Sequence, residues 1–213
     1  APSMGLGALA AAAAHLLTRT SGLIRDMVFV AFFGASATAD AYFAAFRVPH
    51  LFRELLAEGT LSNIFVPLFA ETTQKENLDN AWRLANALLG VLLLVLGLLT
   101  LLIFVLADPL VLLVASGFDA QTHALATTLT RIFSPFLVGI SIAALFSGML
   151  NVRGKFFLPT LAPALLNVFI IAGCFMGEAL EARTGWPALA AVALSASLSG
   201  LCPAPVPYPA LRA

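Results

Sequence analysis

The chain has 213 residues, 61% of them apolar and only 10% charged, with a mean hydropathy of +0.98 and eleven basic residues balanced by eleven acidic ones. That composition falls outside ordinary soluble domains and inside polytopic membrane proteins, and the lack of any basic excess excludes nucleic acid as a main partner. Cys174 and Cys202 lie in apolar surroundings with no CxxC or histidine-bearing cluster, which excludes a disulfide framework and a zinc site and leaves small buried thiols.

The Ala-rich start lacks the basic region of a cleavable signal. It runs instead into an arginine-bearing helix over Gly5–Phe33, about 43 Å long and longer than a hydrocarbon core of roughly 30 Å requires. Ser21-Gly22 is a candidate bend. Arg19 and Asp26 are seven apart and share a face, so the sequence pairs them and points Arg25 elsewhere. Gly34–Ala39 reads as a turn of small residues, with Thr38 as N-cap and Asp40 in the first turn of a second helix that runs to about Ala70. Pro49 should kink that helix near Arg47, and Arg47 and Glu54, again seven apart, are expected to pair.

Glu71–Arg83 is an aqueous loop, and the uncharged run Leu84–Ala107 is a third span, stopped by Asp108-Pro109. An outer loop to Gln121, with a short apolar dip over Val111–Ala115, leads to a fourth span within Ala124–Val152 that carries Arg131 near its start and Pro135 inside. After a basic loop at Arg153 and Lys155, a fifth span covers Phe156–Gly177, with Asn167 four residues beyond Pro163. Glu178, Glu181 and Arg183 form the next loop, and Trp186–Leu201 is the sixth apolar run. Prolines at 203, 205, 207 and 209 cannot continue a helix. Residues 1–200 thus read as one six-helix transmembrane unit, and residues 201–213 as a Pro-rich tail expected to arise from truncation or frameshift. Lys75, Arg83, Arg153, Lys155 and Arg212 fall on one side of this topology, with Arg183 and at most Arg131 on the other, so the N-terminus is expected on the cytoplasmic side.

The organising stretch is Leu17–Glu58, which sets Arg19, Arg25, Asp26, Asp40, Arg47, Arg53, Glu54 and Glu58 into otherwise membrane-grade sequence. A charge at the bilayer centre costs about 2.5–3.5 kcal/mol on insertion scales, so such residues face a bundle interior or a watery cavity. Several arginines around one cavity suit an anion, and a diphosphate suits the guanidinium fork better than it suits lysine. A plain structural pairing is the competing explanation for each arginine. His15, His50 and His123 are scattered and read as structural or interfacial, no clustered carboxylates offer a magnesium site, and neither a metal nor an organic cofactor is expected.

The run SGLIRDMVFVAFFGASATADAYFAAFRVPHLFRELLAEGTLSNIFVPLFAE resembles the N-terminal signature of the MurJ (MviN) family of lipid II flippases, in the MOP superfamily of exporters. The Arg-Asp pair, the small-residue turn before Asp40, the Ala-Phe-Arg-Val-Pro segment and the Ala-Glu-Gly before Phe-Val-Pro carry that resemblance. SPFLVGISIAALFSGMLNVRGKFFLPTLAPALLN is similar to the family's fourth and fifth helices. The resemblance implies an all-α polytopic helix bundle of about six transmembrane helices, the first lobe of a two-lobe transporter, in the bacterial inner membrane. It implies transport without covalent chemistry: movement of the undecaprenyl-diphosphate-linked disaccharide-pentapeptide from the cytoplasmic to the periplasmic leaflet. Membrane lipids, a counter-ion and a missing C-terminal lobe are the further implied partners. Family cavity arginines match Arg19, Arg25 and Arg53, family acidic positions match Asp26 and Asp40, and Glu58 stands in the Ala-Glu-Gly; Arg47 joins them as a further substrate-binding candidate. Glu54 stands where a second basic residue is common in the family, and His50 where asparagine is common. The alternatives are export of another polyprenyl-linked oligosaccharide or of a drug by a related MOP protein, a membrane enzyme acting on polyprenyl phosphates, and an inactive inserted fragment.

Overall fold

The computed structural model describes residues 2–54, 67–68, 70–72, 78–152 and 157–201. Glu58, the side chain of Arg53, the basic loop at 153–155 and the tail after Leu201 fall outside what is described. Among the described residues all regular structure is helical: α1 Pro2–Phe33, α2 Ala37–Arg53, α3 Leu78–Val105, α4 Ala107–Val114, α5 Ala120–Phe133, α6 Phe136–Val152, α7 Phe157–Thr184 and α8 Ala188–Leu201.

Two stretches, Asn86–Val105 in α3 and Pro163–Thr184 in α7, are each long and apolar enough to cross a membrane alone. The expected fourth span is instead a helix pair, α5 and α6, bent by 42°. Pro135 supplies the physical reason, since it has no N–H to continue the ladder. At the break the Ser134 hydroxyl turns back onto the Arg131 carbonyl at 2.9 Å, and Thr100 of α3 donates to the Ser134 carbonyl at 3.4 Å. α5 begins with Asp119 as its N-cap, so Arg131 lies in its last turn and not near its start.

Several boundaries differ from the sequence expectation, among them the start of α3 at Leu78, inside the expected Glu71–Arg83 loop. The Asp108–Gln121 loop contains a helix, α4, whose first turn takes Asp108 and Pro109 favourably, an acidic residue near the positive helix end and a proline where no N–H is needed. α7 continues seven residues past Gly177, so Glu178, Glu181 and Arg183 lie on helix rather than loop. The N-cap of α2 is Ser36, whose Oγ accepts from the Ala39 amide at 3.3 Å, while Thr38 hydrogen-bonds Ser36 at 2.7 Å. Gly34, at φ +63°, makes the left-handed turn out of α1 that a residue with a Cβ resists.

The most extensive packing joins α7 to α8 and α1 to α7, with α2 on α5 and α6 on α8 next. Small residues permit the close approaches. A Cβ on Gly139 of α6 would stand 2.4 Å from the Gly200 backbone of α8, and one on Gly173 of α7 would stand 2.7 Å from the Val192 Cα. The turns α1–α2, α4–α5 and α7–α8 meet at one end of the bundle, where Thr38, Gln121, Glu181 and Pro187 help to line an open groove of about 700 Å³. Turns that alternate along the chain share a side, as serial membrane crossing requires.

Candidate functional site

Arg25 sits two turns before the end of α1, on the side that packs against α7. Its Nε and Nη2 donate to one carboxylate oxygen of Asp26 at 3.0 and 2.7 Å, and Nη1 donates to Oδ1 of Asn167 at 3.0 Å. Arginine has no acceptor atom, so the amide oxygen of Asn167 must face it and the amide nitrogen must face away. That nitrogen donates to the Ser21 hydroxyl at 2.9 Å and to the Thr18 carbonyl at 3.4 Å. One buried amide on α7, 5% exposed, therefore spans two turns of α1 and fixes the guanidinium at its centre. A Cβ at Gly22 would stand 3.7 Å from the Asn167 amide nitrogen, an ordinary contact distance, so the two helices do not need glycine there to approach. α1 runs as one helix through Ser21-Gly22, the candidate bend.

A guanidinium has five N–H donors, of which three are used in these bonds, so two remain uncommitted among the described residues. Beside them lies a cavity of about 60 Å³ lined by Arg25, Asp26, Phe29, Tyr42, Phe43, Phe46 and Ile170. Its walls are mostly aromatic: Phe29 and Tyr42 have ring centroids 4.7 Å apart, and Tyr42 stacks parallel to Phe46 at 6.2 Å. The Asp26 side chain is 60% exposed and that of Arg25 30%, so the pair is reachable and Asp26 is free to turn toward solvent.

Other sequence candidates take different places from those expected. Asp26 pairs with Arg25, its immediate neighbour, and not with Arg19 seven residues away. Arg19 is exposed, on the α1 face that also shows Leu16, Leu23 and Met27, and makes no ion pair among the described residues. Asp40 is exposed in the first turn of α2. Arg47 is exposed on α2; the carboxylate expected to pair with it, Glu54, lies 3.3 Å from Nδ1 of His50 one turn away instead. Among the described residues, then, the structure gathers Arg25 and Asp26 at a cavity and leaves Arg19, Asp40 and Arg47 apart from it. No group of three or more potential metal-ligating side chains occurs among them. Cys174 is a free, buried thiol, as its apolar setting indicates.

Sequence reasoning did not single out two residues of the site. Asn167 is visible in the sequence only as a polar residue four positions beyond Pro163, although an amide inside an apolar span is itself a sign of a partner. Tyr42 is hidden among phenylalanines of the same helix.

The arrangement is donor-rich, held from one side by Asn167 and open on the other, which suits binding an anion. The sequence profile described as lipid II flippase MurJ matches residues 29–207. The lipid II flippase MurJ of Burkholderia cenocepacia is 43% identical over 169 residues, covering 78% of this chain and 33% of that protein. The probable lipid II flippase MurJ of Bdellovibrio bacteriovorus is 42% identical over 169 residues, covering 78% of this chain and 32% of that protein. A solved structure of lipid II flippase MurJ in an inward closed conformation superposes with a TM-score of 0.73 at 27% identity, covering 94% of this chain and 40% of that one. The chain thus spans about a third of the length of the curated relatives it matches. With a profile match over most of its length and an all-helical fold shared with a solved relative, the chain belongs to the lipid II flippase MurJ family.

Proposed function

We propose that this chain forms the first lobe of a flippase that moves a polyprenyl-diphosphate-linked peptidoglycan precursor across the inner membrane, from the cytoplasmic to the periplasmic leaflet. The N-terminus is cytoplasmic in this reading, which the excess of Lys and Arg in the loops of that side supports. The carrying observation is Arg25: a guanidinium positioned by a neutral amide, with two donors uncommitted beside a cavity. A neutral positioner matters, because Asn167 orients the cation without cancelling its charge. Asp26 offsets it in the observed arrangement but holds only the Nε N–H and one of Nη2, so an incoming diphosphate has the two remaining N–H groups to bind and gains the others where Asp26 turns away. Because the Asp26 side chain is 60% exposed, its displacement into water costs little packing. Arg19, on the adjoining face of α1, and Arg53, Arg47, Asp40 and Glu58 complete the proposed substrate-binding set. A second lobe supplies the opposing wall that alternating access requires. The transport step makes and breaks no bond; the lipid tail stays in the bilayer while the diphosphate moves between sites.

The test is complementation. In a full-length flippase carrying this lobe, Arg25→Ala is expected to abolish support of cell-wall synthesis in cells depleted of their own flippase, with membrane insertion intact. Normal growth with both Arg25 and Arg53 replaced would refute the reading.

A further inference from the structure

Arg131 is a charge within a span that the proposed substrate-binding set leaves unused. It lies twelve residues after the Asp119 cap of α5, about 18 Å along the helix, so it enters the bilayer with the apolar run. Its side chain is exposed and makes no ion pair or hydrogen bond among the described residues. A charge held in hydrocarbon is costly, and a counter-charge from outside the lobe relieves that cost. Gln121, Ala124, Thr128 and Arg131 follow one another at helical spacing along the exposed stripe of α5. The first three line the open groove of about 700 Å³ at the end of the bundle. Side chains on a helix lean toward its N-terminus, so Arg131 reaches up toward that groove. The groove itself carries the opposite charge: Asp119 and Glu181 line it, and none of its lining residues is basic. Asp119 is held in place by Thr122 and Gln121, whereas the exposed Glu181 has no side-chain partner among the described residues. Arg183 stands two positions from Glu181 and so falls on the other side of α7. Trp186, 49% exposed between the lining residues Gly185 and Pro187, is of the type that sits at the headgroup level of a bilayer.

We propose that this end of the bundle binds an aminophospholipid, with the lipid phosphate on Arg131 and the primary ammonium against Glu181 and Asp119. The order of charges selects the ligand. From the bilayer core outward the lobe offers a cation and then two carboxylates, and an ethanolamine lipid offers its chains, a phosphate and then an ammonium. A lipid with a net negative headgroup is repelled by the carboxylates, and a free cation by Arg131. The ammonium brings three N–H donors to the carboxylates and to the threonine and glutamine oxygens of the groove, donors that a quaternary choline lacks. The volume suits a headgroup, since small-molecule sites run to about 300–1,000 Å³. The proposal is independent of Arg25, which lies on α1.

The experiment is native mass spectrometry of the 213-residue chain released from detergent, with phosphatidylethanolamine, phosphatidylcholine and phosphatidylglycerol of the same acyl chains added in turn. The proteins are the parent, Arg131→Gln, Glu181→Gln and Glu181→Lys. The parent is expected to bind its first phosphatidylethanolamine about tenfold tighter than either other lipid, the worth of one hydrogen bond to a charged group. Arg131→Gln should weaken phosphatidylethanolamine by about tenfold, and Glu181→Gln should bring it level with phosphatidylcholine. Glu181→Lys should turn the preference toward phosphatidylglycerol. Because neither side chain has an internal partner, the unfolding temperature without added lipid should be the same in all four proteins, which separates lost binding from lost fold. Equal affinity of the parent for phosphatidylethanolamine and phosphatidylcholine, or discrimination that survives both Glu181 variants, would overturn the ammonium seat. Phosphatidylethanolamine binding unchanged in Arg131→Gln would overturn the phosphate seat. No saturable lipid binding by the parent would leave Arg131 to a protein carboxylate and overturn the proposal as a whole.

Discussion

The two faces of α7 are built on opposite principles. Toward α8 it presents Gly173 and Gly177, and an added Cβ at either would come within 3.0 Å of the neighbouring backbone. Toward α1 it presents Asn167, whose amide reaches across to three polar partners beside a cavity. The first face is a dry contact with no room to change. The second is held by directional bonds, one of which ends on a cation that keeps spare donors. Rigidity on one side lets the other be precise without being filled, the condition a binding site needs and a packing interface avoids.

Substitution should break this contrast most severely where space is absent. At the α6–α8 contact, which follows the same principle as α7–α8, Gly139→Val would force side-chain atoms into the Gly200 backbone, since even a Cβ would stand 2.4 Å from it and neither backbone can yield. We expect a loss of about 3 kcal/mol or more in stability, read as reduced yield of folded protein and a lower unfolding temperature in detergent. Next is Arg25→Ala, which should lower affinity for farnesyl diphosphate by about one to two orders of magnitude and, because it leaves the buried Asn167 Oδ1 without its donor, lower the unfolding temperature by less than Gly139→Val does. The main loss of binding and the main loss of stability would then be assigned to different faces of the same helix bundle.

Asn167 sharpens the contrast. Asn167→Ala removes the acceptor of Arg25 and the donor to Ser21 together, and should cost about 1–3 kcal/mol in stability as well as weakening anion binding. Asn167→Asp keeps an acceptor for Arg25 but adds a negative charge, so binding should fall further than in the alanine variant; its second oxygen cannot donate to the Thr18 carbonyl, so the unfolding temperature stays below that of the parent. If the two variants bound diphosphate equally, the neutrality of Asn167 would have no bearing on function.

The smallest effect lies far from both faces, at the start of α5. The hydroxyl of Thr122, then its amide, and the amide of Gln121 hydrogen-bond the Asp119 carboxylate and hold its pKa below the ordinary 3.8. A depressed carboxyl stabilises above its unfolded pKa, and the contribution is lost as pH falls through the lower folded value. Faster hydrogen exchange at the Gln121 and Thr122 amides is expected as pH drops below about 3.8, after correction for intrinsic exchange, and the pH dependence should vanish in Asp119→Asn.

Helix identity is legible in the sequence because hydropathy and charge act locally. Every predicted span has a helix among the described residues, the second as far as Arg53 with most of its remaining expected length to Ala70 outside them, and Arg25 and Asp26 stand out as charges inside apolar sequence. The features that the sequence leaves unresolved depend on neighbours. Seven-residue spacing correctly puts Arg19 and Asp26 on one face, but adjacent side chains on a helix meet when a third group, here Asn167 from a distant helix, pulls one of them round. The Ser134-Pro135 break is visible as a proline, yet whether a proline kinks a span or divides it is decided by bonds such as that from Thr100 on another helix. Ser36 outcompetes Thr38 as the cap of α2 because Gly34 ends α1 so abruptly that the new helix begins earlier than its acidic residue suggests.

Contact between the Arg25 guanidinium and phosphorus is the central requirement of anion binding at this site, and solid-state NMR measures it directly. With nitrogen-15 in the arginine side chains and farnesyl diphosphate bound in lipid bilayers, nitrogen–phosphorus dephasing should appear at a guanidinium resonance and be lost in Arg25→Lys. Dephasing that persists in Arg25→Lys, or that never appears at saturating ligand, would contradict it.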